Sequence, residues 1–577
     1  MSPATAPGAV SPRPATRAAG HPGLARRINF CFSGRGRYAA CLTGHGTHRL
    51  IPQVWDLTGA APRPRLRPTR AGENPWTLAL PTDDGRLLLL RRLDGYTHHL
   101  LVAVPGPDEN GARAVAEHRL AAVRGGRLTI AAGPAPGTAA VAFATGTDQV
   151  TTVWRVSGRV EPPVTAAELP GPVTGRIWLD ESGDRLALTG KDPQATPLVL
   201  DLARGTTTPL RGPADGEHLL AAAPRTGTLL IAARRDGAWR LGIRHRDDDD
   251  GPTVFPEGLN AIEGTVAPLA LDPAGAHLAL AVTRGARSHL LLHDLVADTT
   301  AELDLPPGTL YPTAHWTEAG LHLVHTTPEH PPGVITLAGP VRPGISPAPA
   351  HSSARWAPAH VHTYDGPAGP IEAVVYGDPA TAARVVLALH GGPEAAWQLG
   401  FDPLFQRLAA AGTAVVAPNQ RGSTGYGAAH RDAIHGAWGG PDLADVLHLG
   451  RTLAGQRGPG RARPALYGIS YGAYLALLAA AAQPGRWERA AVVAPFLSGR
   501  ALYADGPAPV RTLIDRVGGR ADIHDALGPR DLLALAPRLR LPLLIVHGEH
   551  DSIIPVAHSR RLRDRLRATG HRDGGAG

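Results

Sequence analysis

The apolar positions fall into two regimes along the chain. From about residue 28 to 340 they form short runs of four to eight residues, split by Gly, Pro, Asp and Asn clusters, with almost no helical periodicity. That pattern predicts an all-β unit of many short strands. From about 361 onward, short apolar runs at Arg384–Leu389, Ala414–Ala417, Ala465–Tyr467, Ala490–Val493 and Leu543–Val546 alternate with helical segments such as Phe401–Ala411, Pro441–Ala454 and Tyr471–Ala482. Strands alternating with helices predict a mostly parallel sheet covered on both faces.

The β region repeats. Leu179-Asp-x-x-Gly183-x-x-Leu-Ala-Leu188 returns as Leu271-Asp-x-x-Gly275-x-x-Leu-Ala-Leu280, each followed by an apolar triplet and Asp-Leu. Related units lie near 28–57, 76–104, 141–156, 219–244 and 311–337. Periods of about 40–50 residues with several strands each predict propeller blades, about seven of them. A β-sandwich would not require the repeated unit. Residues 1–27, rich in Pro, Ala and Gly, are expected to be a disordered leader, and Pro-rich 341–360 a linker between a propeller at 28–340 and an α/β domain at 361–577.

Composition narrows the function classes. The 577 residues are 43% apolar and 19% charged, which permits large buried cores. No apolar run reaches the roughly 18 residues of a membrane span, and the first residues lack a signal-peptide core, so no membrane association is expected and a cytoplasmic location is. Two cysteines, Cys31 and Cys41, exclude a disulfide scaffold. The net charge of +8 is almost all arginine, Lys191 being the only lysine. These arginines are scattered rather than clustered, so no nucleic-acid partner is expected. The Asp247–Asp250 run lacks alternating ligand spacing, and no His pair has zinc-site spacing. No metal and no cofactor are therefore expected. Oligomeric state does not follow from the sequence.

The chemistry lies in three segments of the second domain. Gly468-Ile-Ser470-Tyr471-Gly472 stands between a strand and an Ala/Leu-rich helix. There a serine on a sharp turn is exposed as a nucleophile, and the following N–H, that of Tyr471, faces a developing oxyanion. His390-Gly391-Gly392-Pro393 ends an earlier strand, where Gly391 and Gly392 let backbone N–H groups approach the same oxygen. His547-Gly548-Glu-His550-Asp551 follows the last apolar run. Asp551, after the turn glycine and after the serine in chain order, is the candidate acid that orients a histidine. His547 and His550 beside it read as strand-end and loop residues.

Together with Asn419-Gln-Arg421-Gly422-Ser423-Thr-Gly425-Tyr426-Gly427, Trp438-Gly439 with Asp442 and Asp445, and Ile554-Pro555, these segments resemble the prolyl oligopeptidase family of serine peptidases. The likeness is greatest to its acylaminoacyl-peptidase-like and dipeptidyl-peptidase-like members, and covers about 360 to 570. The resemblance implies an α/β-hydrolase domain beneath a propeller that admits only short peptides. It also implies an acyl-enzyme on Ser470, an oxyanion held by Gly391, Gly392 and Tyr471, and a histidine oriented by Asp551.

Two positions depart from that pattern. The family's histidine follows its acid by roughly 30–40 residues, after a further helix and strand. Here a helix at Ser559–Ala568 leads only to Thr569-Gly-His571-Arg-Asp-Gly-Gly-Ala-Gly577. The expectation is a sheet lacking its final strand, by truncation or a shifted reading frame, with an exposed edge in consequence. A non-catalytic relative that binds peptides or a partner protein is the other reading. His571 bending back, or His558 close after the acid, fits the geometry poorly. Ile553 stands where many members carry a substrate-binding arginine, and it cannot donate. Blocked peptides, oligopeptides and simple esters therefore all remain candidate substrates, an esterase on the same scaffold included.

Overall fold

The computed structural model describes residues 25–571 except 46–48, 60–63, 71, 94–96, 106–114, 190–195, 211–215, 249–250 and 342–355. Most of the expected leader and linker lies outside the described residues. The strand Ala25–Phe32 opens the first sheet, so Ala25–Arg27 belong to it rather than to the leader, Arg26 and Arg27 pairing with Gly44 and Thr43.

Seven antiparallel sheets of three or four strands follow one another from residue 25 to 338. Each strand neighbours the next in sequence, which is the meander of a propeller blade. The seven expected units coincide with these seven sheets. Both copies of the Asp-x-x-Gly repeat sit on the first turn of a blade. In one, Asp272 Oδ1 accepts from the N–H groups of Ala276 and His277 and closes the turn. The ring closes where the first blade packs on the last. Phe32, Cys41 and Trp55 share a buried cluster with Val324, and Arg27 donates to the Pro332 carbonyl at 3.0 Å.

The second unit is built on a seven-stranded sheet ordered 359–364, 371–376, 413–418, 384–389, 465–469, 490–493, 543–546. The first three strands pair antiparallel and the rest parallel. Parallel strands need crossovers, which the helices Pro403–Ala410, Pro441–Arg457 and Tyr471–Ala482 supply. The sequence pattern missed the two leading strands and the helices Gly499–Asp505 and Ala508–Arg516. Helix Tyr471–Ala482 is buried on every side from Tyr471 to Ala481, so its apolar residues show no stripe. Among the described residues, Leu543–Val546 is the outermost strand on its side, with Leu544 and Val546 exposed. No helix among them is long and apolar enough to cross a membrane.

Two blades dock on this sheet unit. The hairpin tip between Arg284 and Arg287 enters its core, and the tip near Thr326–Pro328 receives the Phe401 N–H and the Gln406 side-chain amide.

Candidate active site

Ser470 closes the strand Ala465–Ile469 and opens the helix Tyr471–Ala482 with φ 55° and ψ −119°. A side chain rarely adopts that backbone, and the strain is about 1–3 kcal/mol. Its surroundings hold it there. The Ser470 N–H donates to Val493 O at 2.8 Å, and its carbonyl accepts from Ala473 and Tyr474. The flanking glycines are required by space: a Cβ on Gly468 would stand 2.2 Å from the Gly472 carbonyl oxygen, and one on Gly472 2.3 Å from that of Leu389. The Ser470 hydroxyl is partly exposed and has no hydrogen-bond partner among the described residues.

Tyr471 sends its side chain away from the pocket. Its hydroxyl donates to Asp442 Oδ2 at 2.6 Å, and its ring stands edge-on to Trp438 with centroids 5.0 Å apart. Burial pushes the Asp442 carboxyl up to about 6 and the Tyr471 hydroxyl well above its usual range. The helix start is thus anchored from below, while the Tyr471 N–H stays free at its first position.

The turn His390–Pro393 lies against the serine. A Cβ added to Gly391 would be 3.3 Å from Ser470 Cβ and 3.8 Å from its Oγ. His390, which the sequence reading left without a role, organises this turn. Burial holds its imidazole neutral, with its pKa lowered to about 4. Nδ1 lies 2.7 Å from the Gly391 carbonyl, which can only accept, so Nδ1 carries the proton. Nε2 then accepts, from the Gln420 amide at 3.2 Å, with Ser423 Oγ 2.8 Å away. In a trans peptide C=O and N–H point oppositely. Drawing the Gly391 carbonyl toward His390 therefore turns the Gly392 N–H the other way. Arg421 pins the supporting loop through Asp445, with contacts of 2.7 to 3.1 Å. The signal for these residues was the Asn419–Gly427 string, which carried the resemblance without assigning roles.

Asp551 follows the strand Leu543–Val546, two strands from Ser470, about 10 Å at ordinary strand spacing. Its Oδ1 accepts from the N–H groups of Ile553 and Ile554, and its Oδ2 lies 3.6 Å from His547 Nε2. His547 is thus the acid's neighbour, with its ring nitrogens also at Ser559 Oγ (2.7 Å) and Ile554 O (2.8 Å). No histidine among the described residues bonds to Ser470. His571 bonds to the Leu541 carbonyl, two residues before the strand whose far end leads to Asp551, and that end lies about 17 Å away along the chain direction. His558 is buried against the Leu497 N–H.

On the rim, Glu394, Asp432 and His435 come within 4.8 Å of one another. Arg516 and Arg431 neutralise them, and Glu394 bonds to His435 at 2.9 Å. Burial works against the Glu394 charge, but the Arg516 and His435 partners outweigh it and hold the carboxyl below its usual range. This is an ion-pair network rather than a vacant cation site. Ile553 is exposed and offers no side-chain donor.

Residues 399–573 match the family model described as Prolyl oligopeptidase family. Dipeptidyl peptidase family member 6 of Caenorhabditis elegans is 30% identical over 190 residues, 31% of this chain and 25% of that protein. Dipeptidyl aminopeptidase BIII of Pseudoxanthomonas mexicana is 30% identical over 190 residues, 32% of this chain and 28% of that one. The chain thus spans about a quarter of the length of these curated relatives. Among solved structures, the uncomplexed acylaminoacyl peptidase of Pyrococcus horikoshii superposes with a TM-score of 0.69 at 16% identity. It covers 95% of this chain and 90% of its own. A puromycin hydrolase gives 0.65 at 19%, covering 94% and 89%. Both share the fold of a propeller joined to an α/β-hydrolase domain.

Proposed function

We propose that the chain is a serine peptidase of the prolyl oligopeptidase family, whose model residues 399–573 match, and that it cleaves short peptides through an acyl-enzyme on Ser470. The observation that carries this reading is the juxtaposition of a strained, unpartnered serine hydroxyl with the Gly391–Gly392 turn and the Tyr471 N–H. Ser470 Oγ attacks the carbonyl carbon as its proton leaves to a base. The carbonyl oxygen gains the negative charge, and the N–H groups of Gly392 and Tyr471, with Gly391 beside them, hold it. Collapse expels the amine, which takes the proton, and water then cleaves the ester. Asp551 is the acid that would orient the imidazole carrying the proton in each step, a histidine that the described residues do not supply. The propeller, docked on the hydrolase unit through two hairpin tips, limits substrates to short peptides. The two free thiols, Cys31 half-buried and Cys41 buried, both with pKa raised by desolvation, support a reducing cytoplasmic setting.

One observation favours a second reading: no described histidine bridges Ser470 and Asp551. A chain without that bridge would bind peptides in the same cleft without cutting them. Hydrolysis separates the two. Acyl-alanyl and dipeptidyl p-nitroanilides are incubated with the parent chain and with Ser470→Ala. Turnover lost in the variant supports the peptidase. Peptide binding without turnover in either protein supports the binder.

A further inference from the structure

The hairpin tip of the sixth blade is buried in the wrong domain. Ala286, between the strands His277–Arg284 and Arg287–Asp294, is fully buried, and its neighbours are Val374, Tyr376, Leu399 and Phe405 of the hydrolase domain. The tip is bonded as well as packed. The Gly285 N–H donates to Gly425 O at 2.8 Å, the Ala286 carbonyl accepts from Leu399 N–H at 2.8 Å, and the Ala286 N–H reaches Glu372 Oε2 at 3.2 Å. Space is tight: a Cβ on Gly285 would stand 2.4 Å from Glu372 Oε2, and Gly285 has φ +59°.

The residues it grips run to the oxyanion turn. The Tyr426 hydroxyl donates to Glu372 Oε2 at 2.9 Å and accepts from Asn419 Nδ2 at 2.7 Å. Asn419 clamps Trp397 from both sides, accepting its N–H at 2.7 Å and donating to its carbonyl at 2.9 Å. Thr424 N–H donates to Ala395 O. The segment 395–399 follows directly on Gly391–Pro393, so one end of the turn is held by His390 and the other through this network.

We propose that the Gly285–Ala286 tip is a positioning element for the reaction: the propeller supplies the outer clamp that fixes the Gly391–Gly392 turn against Ser470. The inference rests on the peptidase reading for its kinetic consequence, though not for its structural one. Shape alone would be served by a tip that packs. A tip that bonds to three separate segments around the turn also fixes where the Gly392 N–H points, and small misplacement there costs rate rather than substrate affinity.

The test compares Gly285→Ala and Tyr426→Phe with Gly237→Ala. Gly237 lies at the equivalent tip of the fifth blade with φ +78° and nothing within 4 Å of an added Cβ, so it shares the backbone strain without the clamp. Two readouts are taken. In p-nitrophenyl ester hydrolysis, Gly285→Ala should lower kcat about tenfold with KM within about twofold, Tyr426→Phe should do so to a smaller degree, and Gly237→Ala should change neither. In amide hydrogen exchange, Trp397 and Leu399 should exchange about tenfold faster in Gly285→Ala, with Ser470 and Ala473 unchanged. Equal kcat in Gly285→Ala and Gly237→Ala, or unchanged exchange at Trp397 and Leu399, overturns the clamp. A parent chain that hydrolyses no ester contradicts the peptidase reading instead, and the exchange data then decide the clamp by themselves.

Discussion

Asp442→Asn isolates the buried acid beneath the Ser470 elbow. The Asp442 carboxyl is fully enclosed, accepts from the Tyr471 hydroxyl at 2.6 Å and from Leu443 N–H at 2.9 Å, and has its pKa raised from 3.8 to about 6, chiefly by burial. A raised folded-state pKa means that the folded protein prefers the protonated form. The stability this contributes is fully present below about pH 3.8 and is lost as the pH rises through about 6. A shift of roughly two units corresponds to about 3 kcal/mol, at about 1.4 kcal/mol per unit. Asn has no charge to lose. Whatever constant offset its altered hydrogen bonding brings, the variant should gain about 3 kcal/mol on the parent between pH 3 and pH 7.5. For a domain of this size, about 1 kcal/mol moves Tm by roughly 2–4 °C, so the gap between the two proteins should move by about 6–12 °C. Calorimetry of the hydrolase transition across that pH range measures it. Parallel Tm curves for parent and variant would refute the reasoning, because they would mean that Asp442 titrates alike folded and unfolded.

Three further outcomes follow from the same geometry. Gly472→Ala should destabilise the hydrolase domain by about 1–3 kcal/mol or more, since its Cβ would meet the Leu389 and His390 carbonyl oxygens, and the Tm of that transition reports it. Ser470→Gly should be about 1 kcal/mol more stable than Ser470→Ala, because only the glycine relieves φ 55°; equal melting of the two would show that the elbow is unstrained. His390→Phe should slow ester acylation by about 10²-fold with little change in KM, by releasing the Gly391 carbonyl and with it the Gly392 N–H.

The architecture was legible because its determinants are local. Short apolar strands split by glycine turns recur along the blades, and in two of them an Asp, a Gly and the next apolar strand stand at the same offsets; Asp272 shows why, its carboxylate closing the turn. The elbow was legible for the same reason: the glycines at 468 and 472 are dictated by clashes within five residues and one neighbouring strand. What stayed hidden depends on distant partners. His390 looked like part of a glycine turn, because the partners that hold its Nε2, Gln420 and Ser423, lie some thirty residues on. Nothing in Ala286's own blade says that the core it joins lies near residues 374 and 405. The leading strands 359–364 and 371–376 escaped because they pair antiparallel at the sheet's edge, outside the strand–helix alternation. His547 reads from sequence as a strand end, and its approach to Asp551 comes only from the fold of the loop between them.

The account's central claim is that Ser470 is an activated nucleophile. Labelling of the purified chain with a fluorophosphonate, with the modified residue located by tandem mass spectrometry and Ser470→Ala as control, tests it directly, since labelling needs both a working base and an oxyanion site. The account predicts a single adduct on Ser470 that is absent from the variant. An unlabelled parent chain, or an adduct on another residue that persists in Ser470→Ala, would contradict it.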